Sequence, residues 1–180
     1  MDEISIILDD QVIAAALFFI EGELMNVIVK DPELFEVGQT IYFAVDEMRI
    51  QGKLIKKQGF NLYVFVSWTE AQLSNRRRKA ARSPLNTEGT ILYNNSEIQV
   101  RVLDVSIKGI AFQTELPLNQ SLQYPIHFYV QDTLLHAVIK IQNEVQQNGK
   151  KRYGCTIISI SEECLYHLRR FILMDQLNKL

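Results

Sequence analysis

Local catalytic signatures are missing from this chain. No HExxH, GxxxxGK, GxSxG or CxxC pattern occurs in it, which excludes a zincin helix, a phosphate loop, a nucleophile elbow and a vicinal thiol pair as local motifs. Cysteine is scarce. Cys155 and Cys164, the only two, have neither metal-ligand nor redox spacing and read as small core residues. The acidic start Met1-Asp2-Glu3 is the opposite of a basic secretory leader, and the longest early apolar run, Val12 to Ile20, falls well short of the ~20 residues that cross a bilayer. The expectation is a cytoplasmic protein with no membrane insertion and no disulfide. Asn94-Asn95-Ser96 matches a glycosylation acceptor but, without a secretory route, reads as a turn. The three histidines, His127, His136 and His167, fall on expected strands or helix as structural or surface residues. The chain is therefore expected not to be an enzyme, and neither a metal site nor a cofactor is expected.

What is present is the composition of a folded globular protein, 47% hydrophobic and 22% charged over 180 residues, enough for one medium or two small domains. Charge is unevenly divided. Residues 1–75 carry 5 basic and 12 acidic side chains, whereas residues 76–180 carry 14 basic and 9 acidic ones. The split falls at Arg76-Arg77-Arg78-Lys79-Ala80-Ala81-Arg82, which places five positive charges in seven residues of a chain with formal net charge -2. A focused positive cluster in an acidic protein points to a small anionic partner, because the remaining field repels a long polyanion.

Strand signals dominate on both sides of that cluster. Ile4 to Leu8 precedes the turn Asp9-Asp10, Val12 to Ile20 lacks helical periodicity and is broken at Glu21-Gly22, and Val27 to Val29 precedes the turn at Asp31-Pro32. Thr40 to Val45, Met48 to Ile55 and Asn61 to Ser67 then form a meander with turns at Asp46-Glu47 and Gln58-Gly59. Its aromatics Tyr42, Phe43, Phe60, Tyr63 and Phe65 are expected in the core. This first β domain ends near residue 72, and residues 73–83 form a connection that carries the arginines. From residue 84 onward, Thr90 to Tyr93, Glu97 to Leu103, Gly109 to Thr114, Tyr124 to Val130, Leu134 to Ile141 and Tyr153 to Ile158 count as six strands, which suit a small closed barrel. Ser161-Glu162-Glu163 reads as an N-cap with acids in the first turn of a C-terminal helix. Cys164, Leu165, Leu168, Phe171 and Ile172 share one face that should cover a barrel opening, and Leu173, Leu177 and Leu180 form a second stripe.

A second segment, Asp104-Val105-Ser106-Ile107-Lys108-Gly109, gives the arginines a counterpart. With a two-residue turn at Asn94-Asn95, Leu85 is expected opposite Asp104 and Arg82 opposite Ile107, so both segments meet at one end of one hairpin. Guanidinium groups fork onto guanine O6 and N7 and onto phosphate oxygens, and a carboxylate accepts from the donor edge of guanine. Ser106 is a donor for phosphate or ribose, and Gly109 permits close backbone approach.

Arg78-Lys79-Ala80-Ala81-Arg82 followed by Asp104-Val105-Ser106-Ile107-Lys108-Gly109 resembles the paired motifs of the PilZ domain, the bacterial receptor module for cyclic di-GMP. The resemblance covers roughly residues 74–180, including the strand Tyr153-Gly154-Cys155, and the preceding module resembles the β domain of flagellar-brake proteins. It implies a mainly β protein: a small barrel-like domain over 1–72, the arginine-bearing connection over 73–83, and a six-stranded antiparallel PilZ barrel with its C-terminal α-helix over 84–180. It further implies that Arg78 and Arg82 bind guanine and phosphate, that Asp104 reads guanine, and that Ser106 and Gly109 complete the pocket. Arg77 resembles the additional arginine of members that hold two stacked ligand molecules. The expected role is that of an effector whose ligand clamps the two modules together and so controls a protein target, such as a flagellar motor or a polysaccharide synthase, in motility or biofilm formation. Two other readings compete, a PilZ-like adaptor that has lost the ligand and a nucleic-acid-binding β module. Retention of every motif residue weighs against the first, and the acidic amino-terminal half weighs against the second.

Overall fold

Alternation of β-branched and aromatic residues with polar ones, punctuated by short turns, makes two antiparallel barrels of this chain. The computed structural model describes residues 2–9, 11–45, 48–67, 80–94, 96–147 and 149–179. It divides into two compact units, Met1–Lys79 and Ala80–Leu180. Arg76, Arg77, Arg78, Lys79 and most of the expected connection lie outside the described residues.

In the first unit, β1 (Asp2–Leu8), β2 (Gln11–Glu21), β3 (Leu24–Val29), β4 (Thr40–Val45), β5 (Met48–Gln58) and β6 (Asn61–Val66) close in the order β1-β2-β3-β6-β5-β4. Closure leaves no strand edge unpaired. Ile6, Val27, Phe43, Leu54 and Val64 are among the inward residues of its core. The turn at Asp31-Pro32 becomes a short 3-10 helix, Pro32–Leu34, which delivers the buried Phe35 to that core. Lys57 Nζ fastens it by donating to the carbonyls of Pro32 and Phe35, at 3.1 and 2.9 Å. Of the five aromatics expected in the core, Phe43 and Tyr63 are buried, Phe65 is only half-buried, and two are exposed. Tyr42 is 47% exposed because period two puts it on the outer face between the inward Ile41 and Phe43, and Phe60 is 62% exposed because it sits in the turn after Gly59. The early strands are also longer than expected, β3 beginning at Leu24 immediately after a turn at Gly22-Glu23.

In the second unit, β7 (Ser83–Tyr93), β8 (Ser96–Ser106), β9 (Gly109–Thr114), β10 (Gln123–Val130), β11 (Thr133–Gln147) and β12 (Lys150–Ile160) close in the order β10-β11-β12-β9-β8-β7. Asn94 and Gln131 take positive φ, 49° and 54°, at the hairpin turns where polar pairs occur in the sequence. The last element, α1 (Glu162–Asn178), starts at Ser161, whose hydroxyl oxygen accepts from the Cys164 amide at 3.2 Å. Leu168 and Ile172 are buried in the barrel core, with Cys164 and Phe171 packed against it. Leu165, expected on the same face, is only half-buried, as are Leu173 and Leu177 of the second stripe, while Leu180 lies outside the described residues.

Across the β11–β12 hairpin, Lys151 Nζ donates to Glu144 Oε1 at 2.7 Å in an ion pair between the two strands. That bond lowers the Glu144 pKa from its ordinary 4.5 and raises that of Lys151 from 10.5. Glu144 then contributes stability that is present above 4.5 and lost as pH falls through its lowered folded value; Lys151 contributes stability present below 10.5 and lost as pH rises through its raised one. Amide exchange at 143–152, corrected for intrinsic rates, is therefore expected to show greater opening beyond either limit while the Leu168 region stays protected. Equal opening throughout would contradict a local role for the pair.

Candidate ligand-binding site

The described site residues come from the residue before β7, from β8 and from the start of β9, and their placement turns on one irregularity. Along β8, Ile98, Val100 and Val102 point inward. Strict alternation would continue that face to Asp104 and bury a carboxylate against Leu85. The pairing changes instead. Thr87 opposes Val102, but Pro84, rather than Leu85, opposes Asp104, and Ser83 opposes Val105. Between these pairs Leu85 and Asn86 face the single residue Leu103, which is itself one residue in excess against β9, where Val102 opposes Phe112 and Asp104 opposes Ala111. This β-bulge resets the faces: Asp104 turns outward and Val105 becomes fully buried. Asn86 takes the positive φ of 56° on the longer strand, and its side-chain oxygen accepts from Arg101 Nε at 2.6 Å.

On β7 alternation is unbroken. Ala81 and Ser83 are buried, so Arg82 between them faces out, beside Asp104. Arg82 Nη1 and Asp104 Oδ1 are 3.7 Å apart, an ion pair without hydrogen-bond distance, and the arginine side chain is 63% exposed. The expected opposition of Arg82 to Ile107 is displaced with the register, yet the two motifs do meet.

Ser106 and Gly109 are a directly opposed pair closing the β8–β9 turn. Ser106 is buried, its hydroxyl donating to the Gly109 carbonyl at 3.2 Å and accepting from the Lys108 amide at 3.3 Å. Its proton is thus engaged in the turn, leaving acceptor capacity. Gly109 is required by its neighbours: a Cβ there would lie 2.5 Å from the Cys155 carbonyl oxygen. Arg77 and Arg78 lie outside the described residues, so of the six expected ligand-binding residues the structure places four, and brings Arg82 and Asp104 together.

The outer face also holds residues that sequence reading passed over. Arg152 of β12 donates from Nη2 to Asp104 Oδ2 at 3.0 Å. Tyr153 and Cys155 point into the core, so Arg152 and Gly154 fall outward; that alternation is visible in the sequence, but not the β9–β12 register that carries them to Asp104. Gly154 opposes Ala111 on one side and Asn143 of β11 on the other. A Cβ at Gly154 would collide with the Asn143 carboxamide. Arg82, Arg152, Ala111, Gly154, Asn143 and Val145 line a cleft of about 480 Å³. Its lining combines two guanidinium groups with the small residues Ala111 and Gly154, suited to a flat, anionic, hydrogen-bonding ligand. Among the described residues no cluster of three metal-ligating side chains occurs.

Replacement of Gly109 by Ala is expected to lower unfolding stability by about 1–3 kcal/mol, the usual effect of forcing a methyl into packed backbone. Urea denaturation of the full chain measures it. A change under about 0.5 kcal/mol would show that β9 and β12 move apart freely.

Comparison with known proteins bears on this arrangement. Curated protein sequences give no match. Among solved structures, the Bacillus subtilis inhibitor of motility (MotI/DgrA) aligns with a TM-score of 0.54 at 13% identity, covering 98% of this chain and 96% of that one. Escherichia coli YcgR in complex with c-di-GMP aligns at 0.50 and 12% identity, covering 98% and 84%. K. pneumonia MrkH in its apo state aligns at 0.50 and 16% identity, covering 98% and 88%. At these identities the likeness is one of fold. The family model described as the PilZ domain matches residues 76–174, more than half of the chain and the whole of the second barrel, and on that match the chain belongs to the PilZ domain family.

Proposed function

We propose that this protein is a receptor for cyclic di-GMP, binding the dinucleotide without transforming it. The observation that carries the reading is the outward turn of Asp104 at the Leu103 bulge, which sets a carboxylate 3.7 Å from Arg82 and 3.0 Å from Arg152, the two arginines that line the neighbouring cleft. A carboxylate accepts from guanine N1–H and N2–H₂, which adenine does not present in that form, while arginine takes O6, N7 or phosphate. Each half of the ligand offers both. Membership of the PilZ family supports the reading, as does the bound c-di-GMP of E. coli YcgR.

In this reading Arg78 and Arg82 hold guanine and phosphate, Asp104 reads the base edge, and Ser106 and Gly109 shape the turn beside it. Arg77 adds a further guanidinium, which neutralises more phosphate charge and favours a stacked pair of ligands. The protein acts in the cytoplasm on a protein target, such as a flagellar motor or a polysaccharide synthase; the name of the B. subtilis structural neighbour, an inhibitor of motility, favours the former. Because Arg76 to Arg82 lie where the charge of the sequence changes sign, ligand binding removes like-charge repulsion at the connection between the two units and selects one path for it. The shift is limited by the ligand's differential affinity for the two states, about 1–3 kcal/mol in ordinary cases.

Calorimetric titration of the full chain is expected to give two cyclic di-GMP molecules per chain, with markedly weaker binding of cyclic di-AMP and GTP. Arg78→Ala or Arg82→Ala should weaken binding by about 1–3 kcal/mol with the fold retained, and Arg77→Leu should move the stoichiometry from two toward one. Equal affinity for cyclic di-AMP would overturn guanine recognition, and a 1:1 complex at saturation would overturn the stacked pair.

The clamp has its own test in solution scattering and hydrogen exchange with and without cyclic di-GMP. A changed radius of gyration together with stronger protection over residues 70–84 is the expected result. If both stay the same at saturation, the ligand does not act through the connection.

A further inference from the structure

Asp104 has two cationic neighbours, and they are not equivalent. Arg152 donates to Oδ2 at 3.0 Å, a charge-assisted hydrogen bond, whereas Arg82 stands 3.7 Å from Oδ1. Their settings differ too. Arg152 is carried by the interior of β12, its backbone paired with Gln113 of β9 on one side and Val145 of β11 on the other, and its side chain is 39% exposed. Arg82 precedes β7 and its side chain is 63% exposed.

One guanidinium is therefore built into the sheet and the other is loosely held. A ligand that recruits Arg82 to its phosphate or base takes it away from Oδ1 at little cost. The carboxylate that remains would swing freely on its own side-chain torsions, or accept water, were it not for Arg152. With Arg152 on Oδ2, Oδ1 is left as the open acceptor on the side that Arg82 vacates. The second lone pair of Oδ2 stays available for the neighbouring donor of the same base edge.

Resting on the reading of the site as a cyclic di-GMP receptor, we infer that Arg152 is the positioning residue of guanine recognition: it holds the Asp104 carboxylate in the orientation that accepts from the guanine edge once Arg82 has moved to the ligand. Its contribution is to selectivity between purines more than to charge. A half-exposed ion pair of this kind adds little to folding, so the geometry serves the ligand. The bulge at Leu103 has the same logic: it turns the carboxylate outward, and β12 supplies the group that fixes its angle.

The test measures affinities of the full-length protein for cyclic di-GMP and cyclic di-AMP side by side, in wild type, Arg152→Met, Arg152→Lys, Asp104→Ala and the double variant Asp104→Ala/Arg152→Met. Arg152→Met should weaken cyclic di-GMP binding at least about tenfold and the weak cyclic di-AMP binding by a clearly smaller factor, the part due to lost charge alone, so the ratio between the two falls. Arg152→Lys, which keeps a donor and a charge, should recover part of that ratio. In the Asp104→Ala background, removing Arg152 should have no further effect, since Arg152 acts through the carboxylate. Should Arg152→Met not fold, Arg152→Leu, which likewise removes both the donor and the charge, is read in the same way. Cyclic di-GMP affinity within about twofold of wild type would overturn the assignment, as would an equal loss for both dinucleotides or an undiminished loss in the Asp104→Ala background. A wild-type protein that binds neither dinucleotide would overturn the receptor reading and this inference together, whereas wild-type binding with an indifferent Arg152 overturns this inference alone.

Discussion

An ionised carboxylate does not face a dry core without a partner; its desolvation costs several kcal/mol even after the surroundings relax. In β8 the run Ile98, Val100, Val102 commits one face to the barrel interior, and Asp104 comes next on that face. The chain resolves the conflict at Leu103, where one residue is gained against β9 and one lost against β7, so that Asp104 leaves the core and Val105 enters it. Everything assembled around the candidate site depends on that reversal. Were β8 regular, Arg82 and Asp104 would lie on opposite faces of the same hairpin.

Barrel closure determines what can stand beside the turned-out carboxylate. Each strand of the second unit has a partner on both sides, so β12 is carried round to β9, and Arg152 and Gly154 arrive on the outer face next to residues about fifty positions earlier in the chain. The core of the closed sheet is filled by Phe112, Tyr124, Phe128 and Tyr153, with Leu168 and Ile172 of α1 buried among them. Two of those aromatics also tie down the segment between β9 and β10. Tyr153 Oη accepts from the Leu118 amide at 3.0 Å, and Tyr124 Oη accepts from the Asn119 amide at 2.8 Å while donating to its carbonyl at 2.9 Å. Burial raises the Tyr124 pKa and keeps that donor proton in place. The outer face is thereby left to chemistry, built on strands rather than on loops.

The electrostatics of the site are those of an exchangeable arrangement. Both ion pairs to Asp104 are partly solvated, and pairs of this kind contribute between nothing and about 1 kcal/mol to stability. Their partners can change at small cost, as a ligand exchanging one guanidinium for another set of donors requires. The buried parts of the same region do the opposite. Ser106 spends its proton on the turn, Gly109 brings β9 against Cys155, and burial pushes the Cys155 thiol up to about 12, so that it stays a neutral packing group.

Period-two hydrophobicity, polar turn pairs and the Ser161 cap determine, on their own, a mainly β chain of two modules ending in a helix, because each signal acts over a few neighbouring residues. The charged cluster and the Asp104 segment likewise mark the site in one dimension. What local pattern could not determine is which face each residue takes after an irregularity: alternation predicts Leu85 opposite Asp104, and only the competition among three paired strands places the bulge that substitutes Pro84. The same limit applies to Tyr42 and Phe60, aromatic enough for a core yet turned outward by strand parity and by a turn. Arg152 shows it most plainly. Its outward face can be read from Tyr153 and Cys155 beside it, but its place against Asp104 comes from β-sheet closure across 48 positions of sequence, a register set by the packing of the whole barrel and by no stretch of the chain alone.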